Sequence, residues 1–368
     1  MGGMAELGED LVENILLRLS VKSLVRFKCV DRSWDVLFKT PTFVKNHLHI
    51  NRNEEILMIS HNHHYKWVNI VKNSTSTVDT TYLFPDFNSE NYVDGSVFTF
   101  NTQGHCNGVL CICLTFKHEI IPGEGIHKFY LWNPATREVK VVPPPPLPYC
   151  TDQYDCIFGF GADPNSINDL KVVNLIFQDK NNLSTYVVLY NLITNSWTFI
   201  TTDLISVVPN HFSCDLKGFL AKGFCYWIIS LGCFDDEKIL RFNFRNNQFH
   251  ILKRPPTSVG FYLDFINEVN DSTAYVVHGF EENFSHKVEI WILEKDKWTK
   301  NYTFPPFEYL DGLYAIWKGG AEFLGIAASG SCFHIFNSDS QRIRVVNITS
   351  DYAGIVCKYV ESITSLSF

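Results

Sequence analysis

Residues 7–44 read LGEDLVENILLRLSVKSLVRFKCVDRSWDVLFKTPTFV. Apolar residues recur here with the period of a helix, whereas nearly everything after residue 50 alternates as strands do. Leu11, Ile15, Leu16 and Leu19 share one stripe of a first helix, with Glu9, Asp10 and Glu13 near its positive N-terminus. Ser20 is placed to cap a second helix carrying Leu24, Phe27 and Val30, and Asp31 a third carrying Trp34, Leu37 and Phe38. Pro41 is expected to end the run. Three helices of roughly ten residues each cannot bury a sufficient core of their own. The leftover apolar face has to be covered, either by the rest of this chain as a simple helical cap or by another polypeptide.

The order of residues in this stretch, with Leu7, Asp10, Leu11, Ile15-Leu16, Arg18-Leu19, Val21-Lys22-Ser23-Leu24, Arg26-Phe27, Cys29-Val30, Ser33-Trp34, Leu37, Pro41 and Phe43-Val44, resembles the plant F-box over its whole length. In that family the helices dock on a Skp-type adaptor, which a cullin scaffold holds near a ubiquitin-conjugating enzyme. The resemblance implies an adaptor face drawn from Leu7, Asp10, Leu11, Ile15, Leu16, Leu19, Leu24, Val30 and Trp34. Two positions depart from the family pattern. Its usual Leu-Pro pairs are Leu7-Gly8 and Leu19-Ser20 here, which leaves the unfolded chain freer by about 0.4–1 kcal/mol per site and implies weaker adaptor binding.

The chain has 368 residues, 46% hydrophobic and 15% aromatic, enough for one large well-packed domain and a small one. A net charge of −8 disfavours nucleic acid and anionic membranes as partners and admits a basic protein. The start MGGMAELGED lacks the basic and apolar regions of a secretion signal, so the cytoplasm is the expected location, with the nucleus left open. The most apolar run, 219–234, is broken by Lys222 and is too short for a membrane span. Eleven cysteines without a CxxC pair are expected to act as small buried hydrophobes in a reducing compartment.

From about residue 50 a unit of strand, polar turn and strand repeats. It reads YLWNPATREVKVV from Tyr130, VLYNLITNSWTFI from Val188, LRFNFRNNQFHIL from Leu240, EIWILEKDKWTKN from Glu289 and FHIFNSDSQRIRVV from Phe333. Turn chemistry is expected at Asn133-Pro134, Thr194-Asn195, Asn246-Asn247 and Ser338-Asp339. Inner strands are expected over 104–114, 158–160, 216–229, 261–265 and 322–327. A sixth set is assembled from 56–59 and 67–71 and closed by a last strand around 359–366. The predicted fold is therefore mainly β, a small three-helix unit over 1–48 followed by a kelch-type β-propeller of about six blades over 49–368. A fairly rigid link is expected between Pro41 and Asn51, packed through Phe43, Val44 and Leu48.

The strings GHCNGVLCI from Gly104, LWNPATREVK from Leu131, FGFGADP from Phe158, ILRFNF from Ile239, VEIWIL from Val288 and YVESITSL from Tyr359 are similar to the F-box-associated region of plant F-box proteins, most of all the S-locus type. That likeness implies a substrate receptor of a Skp–cullin–F-box ubiquitin ligase, with self-incompatibility ribonucleases as the targets of the pollen S-locus members. The general receptor and the S-locus determinant remain alternatives, and so does a glycan-binding or enzymatic kelch propeller.

Loops carry binding where strands carry packing, so the candidate substrate surface comprises 82–95, 117–127, 150–155, 234–237 and 280–286. Within it Asp152, Asp155, Asp235, Asp236, Glu237, Glu281 and Glu282 are expected to form an acidic rim that steers a basic protein. No catalytic residue, cofactor or metal is assigned. His61, His63 and His64 lack the spacing of a zinc site, as do Cys106, Cys111 and Cys113. Gly159-Phe160-Gly161 has no helix to receive a pyrophosphate and reads as a strand-end turn. Pro143 to Pro146 reads as a stiff crossover between blades.

Overall fold

The computed structural model describes residues 8–51, 55–61, 66–71, 78–83, 97–117, 125–146, 154–178, 184–202, 218–230, 237–257, 260–280, 286–307, 310–317, 322–327, 333–337, 340, 342–346 and 353–367. Leu7 and the turn Ser338-Asp339 lie outside them.

The first helix, α1 (Glu9–Leu16), has Glu9 and Asp10 in its first turn and starts at Gly8, which makes no side-chain cap. Helix α2 (Val21–Phe27) is capped by Ser20, whose Oγ accepts from Ser23 N at 3.4 Å. Helix α3 (Arg32–Lys39) is capped by Asp31, whose Oδ1 accepts from Ser33 N at 2.8 Å. That backbone N–H, followed by the Ser33 hydroxyl, holds the Asp31 carboxyl below its usual pKa.

Pro41 does not end the helical run. It occupies the first turn of a fourth helix, α4 (Pro41–Ile50), capped by Thr40. The missing proline N–H is one that a helix start leaves unpaired anyway, and the fixed φ suits that position. The helical unit thus extends beyond residue 48, and the expected packing link is a helix with Phe43, Val44 and His47 buried.

After residue 51 the described residues form six four-stranded antiparallel sheets. In chain order the strands are β1 (Glu55–His61), β2 (Lys66–Val71) and β3 (Val78–Leu83); then β4 (Val97–Cys106), β5 (Val109–Lys117), β6 (Gly125–Asn133) and β7 (Glu138–Val141). The next sheets are β8 (Tyr154–Ala162), β9 (Leu170–Gln178), β10 (Ser184–Asn191) and β11 (Ser196–Ile200), and β12 (Phe219–Ala221), β13 (Phe224–Ser230), β14 (Glu237–Asn243) and β15 (Gln248–Lys253). Then come β16 (Gly260–Val269), β17 (Ser272–Phe280), β18 (His286–Glu294) and β19 (Lys297–Phe307), and β20 (Leu310–Trp317), β21 (Glu322–Ala327), β22 (Phe333–Asn337) and β23 (Arg342–Val346). The last strand, β24 (Ala353–Tyr359), pairs with β1 to complete the first sheet, in the order β24-β1-β2-β3.

Contacts run from β24 to β4, β8, β12, β16, β20 and back to β24, a closed ring of inner strands that makes the body a β-propeller. Two expectations change here. The closing strand lies upstream of the predicted 359–366, and 322–327 is the second strand of its sheet, with β20 on the inside.

The core lies between neighbouring sheets. Phe129, Leu131 and Cys113 meet Phe158, Phe160 and Tyr190, while on the other side of the same sheet Val173, Leu175 and Val187 meet Trp227, Leu240 and Phe242. Because β8 is packed on both faces, Gly159 and Gly161 sit inside that strand and form no turn. A Cβ on Gly159 would lie 2.5 Å from both Cys225 Sγ and Trp227 Cζ2, so only glycine lets the next blade approach this closely.

In four of the sheets the repeat seen in the sequence is carried by an asparagine at the end of the third strand. Asn133 Oδ1 accepts from Ala135 N and Thr136 N, Asn191 Oδ1 from Ile193 N and Thr194 N, Asn243 Oδ1 from Arg245 N, and Asn337 Oδ1 from Ser340 N. Each side chain thereby shapes its own turn. The left-handed residues follow at Arg137, Asn195 and Asn247. Two of the anchoring tryptophans do the same work in different blades: Trp197 Nε1 donates to Pro143 O at 2.7 Å and Trp298 Nε1 to Lys253 O at 2.8 Å, each reaching the carbonyl just past or at the end of the preceding blade's outer strand.

Candidate functional site

The helical unit shares its core with the propeller. Leu16, Leu17, Val21, Leu24, Phe38, Phe43 and Val44 are buried together with Ile363 from the far end of the chain, and Ala135 and Ile167 pack against them. Ala135 lies in the β6–β7 turn and Ile167 in the β8–β9 connection, so the helices sit on the end of the propeller that carries these turns. Helix α4 is tied back to the first two: His47 Nε2 donates to Leu19 O at 2.8 Å, and Asn51 Nδ2 to Leu17 O at 2.8 Å. Burial lowers the His47 pKa and keeps the ring neutral.

Beyond β24, residues 360–367 run without regular structure between helices and propeller. Asn133 Nδ2 donates to Ser362 O at 3.0 Å and to Thr364 O at 2.8 Å. Thr364 Oγ1 donates to Asn107 O at 3.0 Å, while Asn107 Nδ2 donates to Ile167 O at 2.9 Å. Glu138 Oε2 accepts from Leu366 N at 2.6 Å and from Ser365 Oγ at 3.1 Å, and its other oxygen lies 3.9 Å from Lys28 Nζ, at the end of α2.

Gly108 has φ +80, and a Cβ there would lie 2.2 Å from Ser362 Cβ. The segment is seated against bare backbone. Burying Ile363 and Leu366 contributes roughly 1.5–3 kcal/mol each, and each buried hydrogen bond about 0.5–1.5 kcal/mol. The half-screened Lys28–Glu138 pair adds no more than about 1 kcal/mol.

Among its exposed polar residues the helical unit also leaves large apolar side chains open. Leu11 is 50% exposed, Ile15 47%, Val30 66% and Val36 66%. With Ile50, these are five of the thirteen large exposed hydrophobics among the described residues, concentrated in the short segment 8–50. Single exposed hydrophobics are ordinary, and such a concentration on a small unit makes it the candidate interaction surface.

Of the residues assigned to the adaptor face, Leu11, Ile15, Val30 and the carboxylate Asp10 are exposed, and Leu19 and Trp34 are half-buried. The Trp34 ring stands 5.7 Å from Phe27. Leu16 and Leu24 are corrected: at 2% and 0% exposure they point into the shared core and can only support the face from behind. Val36 was missed because it falls off the stripe of Trp34, Leu37 and Phe38 that marks α3 in the sequence.

The candidate substrate residues belong to the opposite end. Strands alternate in direction, so β4–β5, β6–β7, β8–β9 and β12–β13 turn at the helix end, and β5–β6, β7–β8, β13–β14 and β17–β18 connect at the other. All five candidate segments flank or fill connections of the second kind. Asp152, Asp235, Asp236, Glu281 and Glu282 lie outside the described residues, and Asp155 is the second residue of β8 and Glu237 the first of β14, at that far end.

A family model describing the F-box associated beta propeller domain matches residues 54–366. The chain belongs to the F-box-associated β-propeller family. A protein of Arabidopsis thaliana named as an F-box protein is 29% identical over 69% of this chain, and the match spans 62% of that relative's length. An F-box/kelch-repeat protein of the same plant is 23% identical over 83% of this chain and 75% of its own, and an F-box/WD-40 repeat-containing protein 1 is 26% identical over 80% and 68%. Among solved structures, a chain of a nidogen/laminin complex aligns over 84% of this chain and 99% of its own with a TM-score of 0.44 and 9% identity.

Elsewhere in this F-box-associated propeller the reactive groups are spent on packing. Burial pushes the Cys106 thiol up to about 12 and raises those of Cys111 and Cys225 well above the ordinary thiol value, which removes thiolate reactivity. Cys156 departs from the expectation of unpaired thiols, because it is disulfide-bonded. Arg254, Tyr275 and Asp264 form a closed polar cluster, Glu289 meets Lys300 at 2.6 Å and Glu322 meets Arg344 at 2.9 Å. No group of three His, Cys, Asp or Glu side chains among the described residues is arranged to hold a metal ion. His63 and His64 are outside the described residues. No described helix is long and apolar enough to cross a membrane.

Proposed function

We propose that the chain is the substrate receptor of a Skp–cullin–F-box ubiquitin ligase. Residues 8–50 act as the F-box, and Leu11, Ile15, Leu19, Val30 and Trp34, joined by Val36, dock on a Skp-type adaptor that a cullin holds. The far end of the propeller takes a protein substrate. The chain itself performs no covalent step: transfer is accelerated by holding the substrate near the activated ubiquitin.

The observation that carries this reading is the apolar surface left open on a helical unit whose other side is sealed against the propeller. Family membership and the F-box names of the relatives support it. The test is recovery of a Skp-type adaptor by the full chain and by the Leu11→Asp/Ile15→Asp variant. The variant is expected to lose the adaptor while keeping its thermal unfolding, and equal recovery would remove the proposal.

The finer proposal concerns the substrate. Seven carboxylates in connections or strand starts at one end favour a basic protein there. The S-locus role is the case in which that protein is a self-incompatibility ribonuclease. Binding of such a ribonuclease, weakened by salt and by Asp235→Asn/Asp236→Asn, would support it.

A further inference from the structure

Two ends of the molecule have to be held at a fixed spacing if adaptor and substrate sit on opposite sides of it, and among the described residues two segments join the helices to the propeller in addition to the direct contacts of Ala135, Ile167 and the Lys28–Glu138 pair. One is α4, which enters β1 through residues 52–54. The other is the chain's own last segment. Residues 360–367 lie against both bodies at once, with Ile363 in the helical core and Ser362, Thr364, Ser365 and Leu366 hydrogen-bonded to Asn133, Asn107 and Glu138 of the propeller.

Three features mark this as a fitted seat. Gly108 holds a left-handed backbone with Ser362 in the place of its missing side chain. Ser362 and Thr364 are fully buried although polar, and their hydroxyls pair with each other at 2.7 Å. The neighbouring His105 donates to the Val360 backbone and accepts from Gly108 N at 3.1 Å, which fixes the departure of the segment from β24.

We propose that residues 360–367 are a strut that sets the position of the adaptor-docking helices relative to the propeller, so that the end of the chain governs how productively a bound substrate is presented, and not whether adaptor or substrate binds. The inference rests on the receptor reading for its functional consequence, but its structural content stands independently of it. Asn133 is the residue on which the strut turns. Its Oδ1 shapes the β6–β7 turn while its Nδ2 holds two strut carbonyls. Asn133→Asp keeps the turn acceptor and replaces the donor with an oxygen facing those carbonyls.

The experiment compares the full chain with Asn133→Asp and with a variant ending at Tyr359. Spin labels at Lys22 on α2 and Lys295 in the β18–β19 turn, both exposed, report the spacing of helices and propeller. In the same proteins, adaptor recovery is measured, and ubiquitin transfer to the chain's own propeller lysines is mapped by mass spectrometry in a reconstituted ligase. The full chain is expected to give one narrow distance distribution. Both variants should broaden it, keep adaptor recovery, lower transfer on the order of tenfold and scatter it over more lysines. An unchanged narrow distribution in Asn133→Asp overturns the strut, even if the shortened chain fails to fold. Failure of the full chain to recover adaptor would overturn the receptor reading instead, and the distance measurement would still decide the strut.

Discussion

His105 shows how a single side chain reports on the junction. Burial outweighs its hydrogen bond to the Val360 backbone and lowers its pKa from 6.5 to about 4. The unfolded chain therefore binds a proton between those values that the folded chain refuses. The resulting stability is fully present above pH 6.5 and is lost as pH falls toward 4, by no more than about 3 kcal/mol. His47, shifted in the same direction by burial, steepens the same slope. Urea midpoints measured at pH 7 and pH 5 should fall for the native chain, and His105→Gln should flatten the difference.

Gly8 is a second residue-scale case. Its φ of −57 already suits proline and a side chain there meets nothing within 4 Å. Gly8→Pro is expected to raise stability by about 0.4–1 kcal/mol, read as a higher midpoint in thermal unfolding of the helical signal. Ser20→Pro should gain less, because it gives up the cap to Ser23 N. Which residues face outward was only partly legible at this scale. Leu11 and Leu16 belong to the same apolar stripe in the sequence, and only the position of the propeller beneath α1 separates the exposed one from the buried one.

At the scale of elements, the helices and hairpins were written in local chemistry. Ser20, Asp31 and Thr40 each offer a side-chain oxygen before a helix, and all three serve as caps. Thr40 was passed over because the proline after it reads as a stop, although at a first helical position it is permissive. The five strand–turn–strand units are hairpins because their turns close locally, through Asn133, Asn191, Asn243 and Asn337 in four of them and a two-residue turn at Lys295-Asp296 in the other.

The segment after β24 could not be read in this way. Val360 to Ser367 looks like one more strand, and what it does instead depends on partners more than two hundred residues earlier in the chain, Asn133 and Glu138. Its burial leads to a measurable expectation. Ile363→Ala should destabilise the junction by about 2–5 kcal/mol, detected as separate, earlier melting of the helical unit in calorimetry, whereas Val345→Ala on exposed β23 should change stability by less than about 0.5 kcal/mol.

For the whole molecule, the inner strands from β4 to β24 close a ring, the helices cap one end of it, and the acidic connections leave from the other. This arrangement follows from strand direction alone, and the sequence concealed it because the candidate loops look unrelated until the sheets align them. On the receptor reading proposed above, the scaffold is built from packing residues and specificity would reside in connections that the packing does not constrain. Exchange of 231–236 for the equivalent connection of a relative should change which proteins are bound while leaving adaptor affinity within twofold, about 0.4 kcal/mol, as competition binding would measure.

The most direct measurement is backbone hydrogen exchange of the full chain with and without a Skp-type adaptor. The account predicts slowed exchange confined to residues 9–19 and 28–37, with the connections at the far end of the propeller unchanged. Protection of 231–236 or 281–285 by the adaptor, or none in the helices, would contradict it.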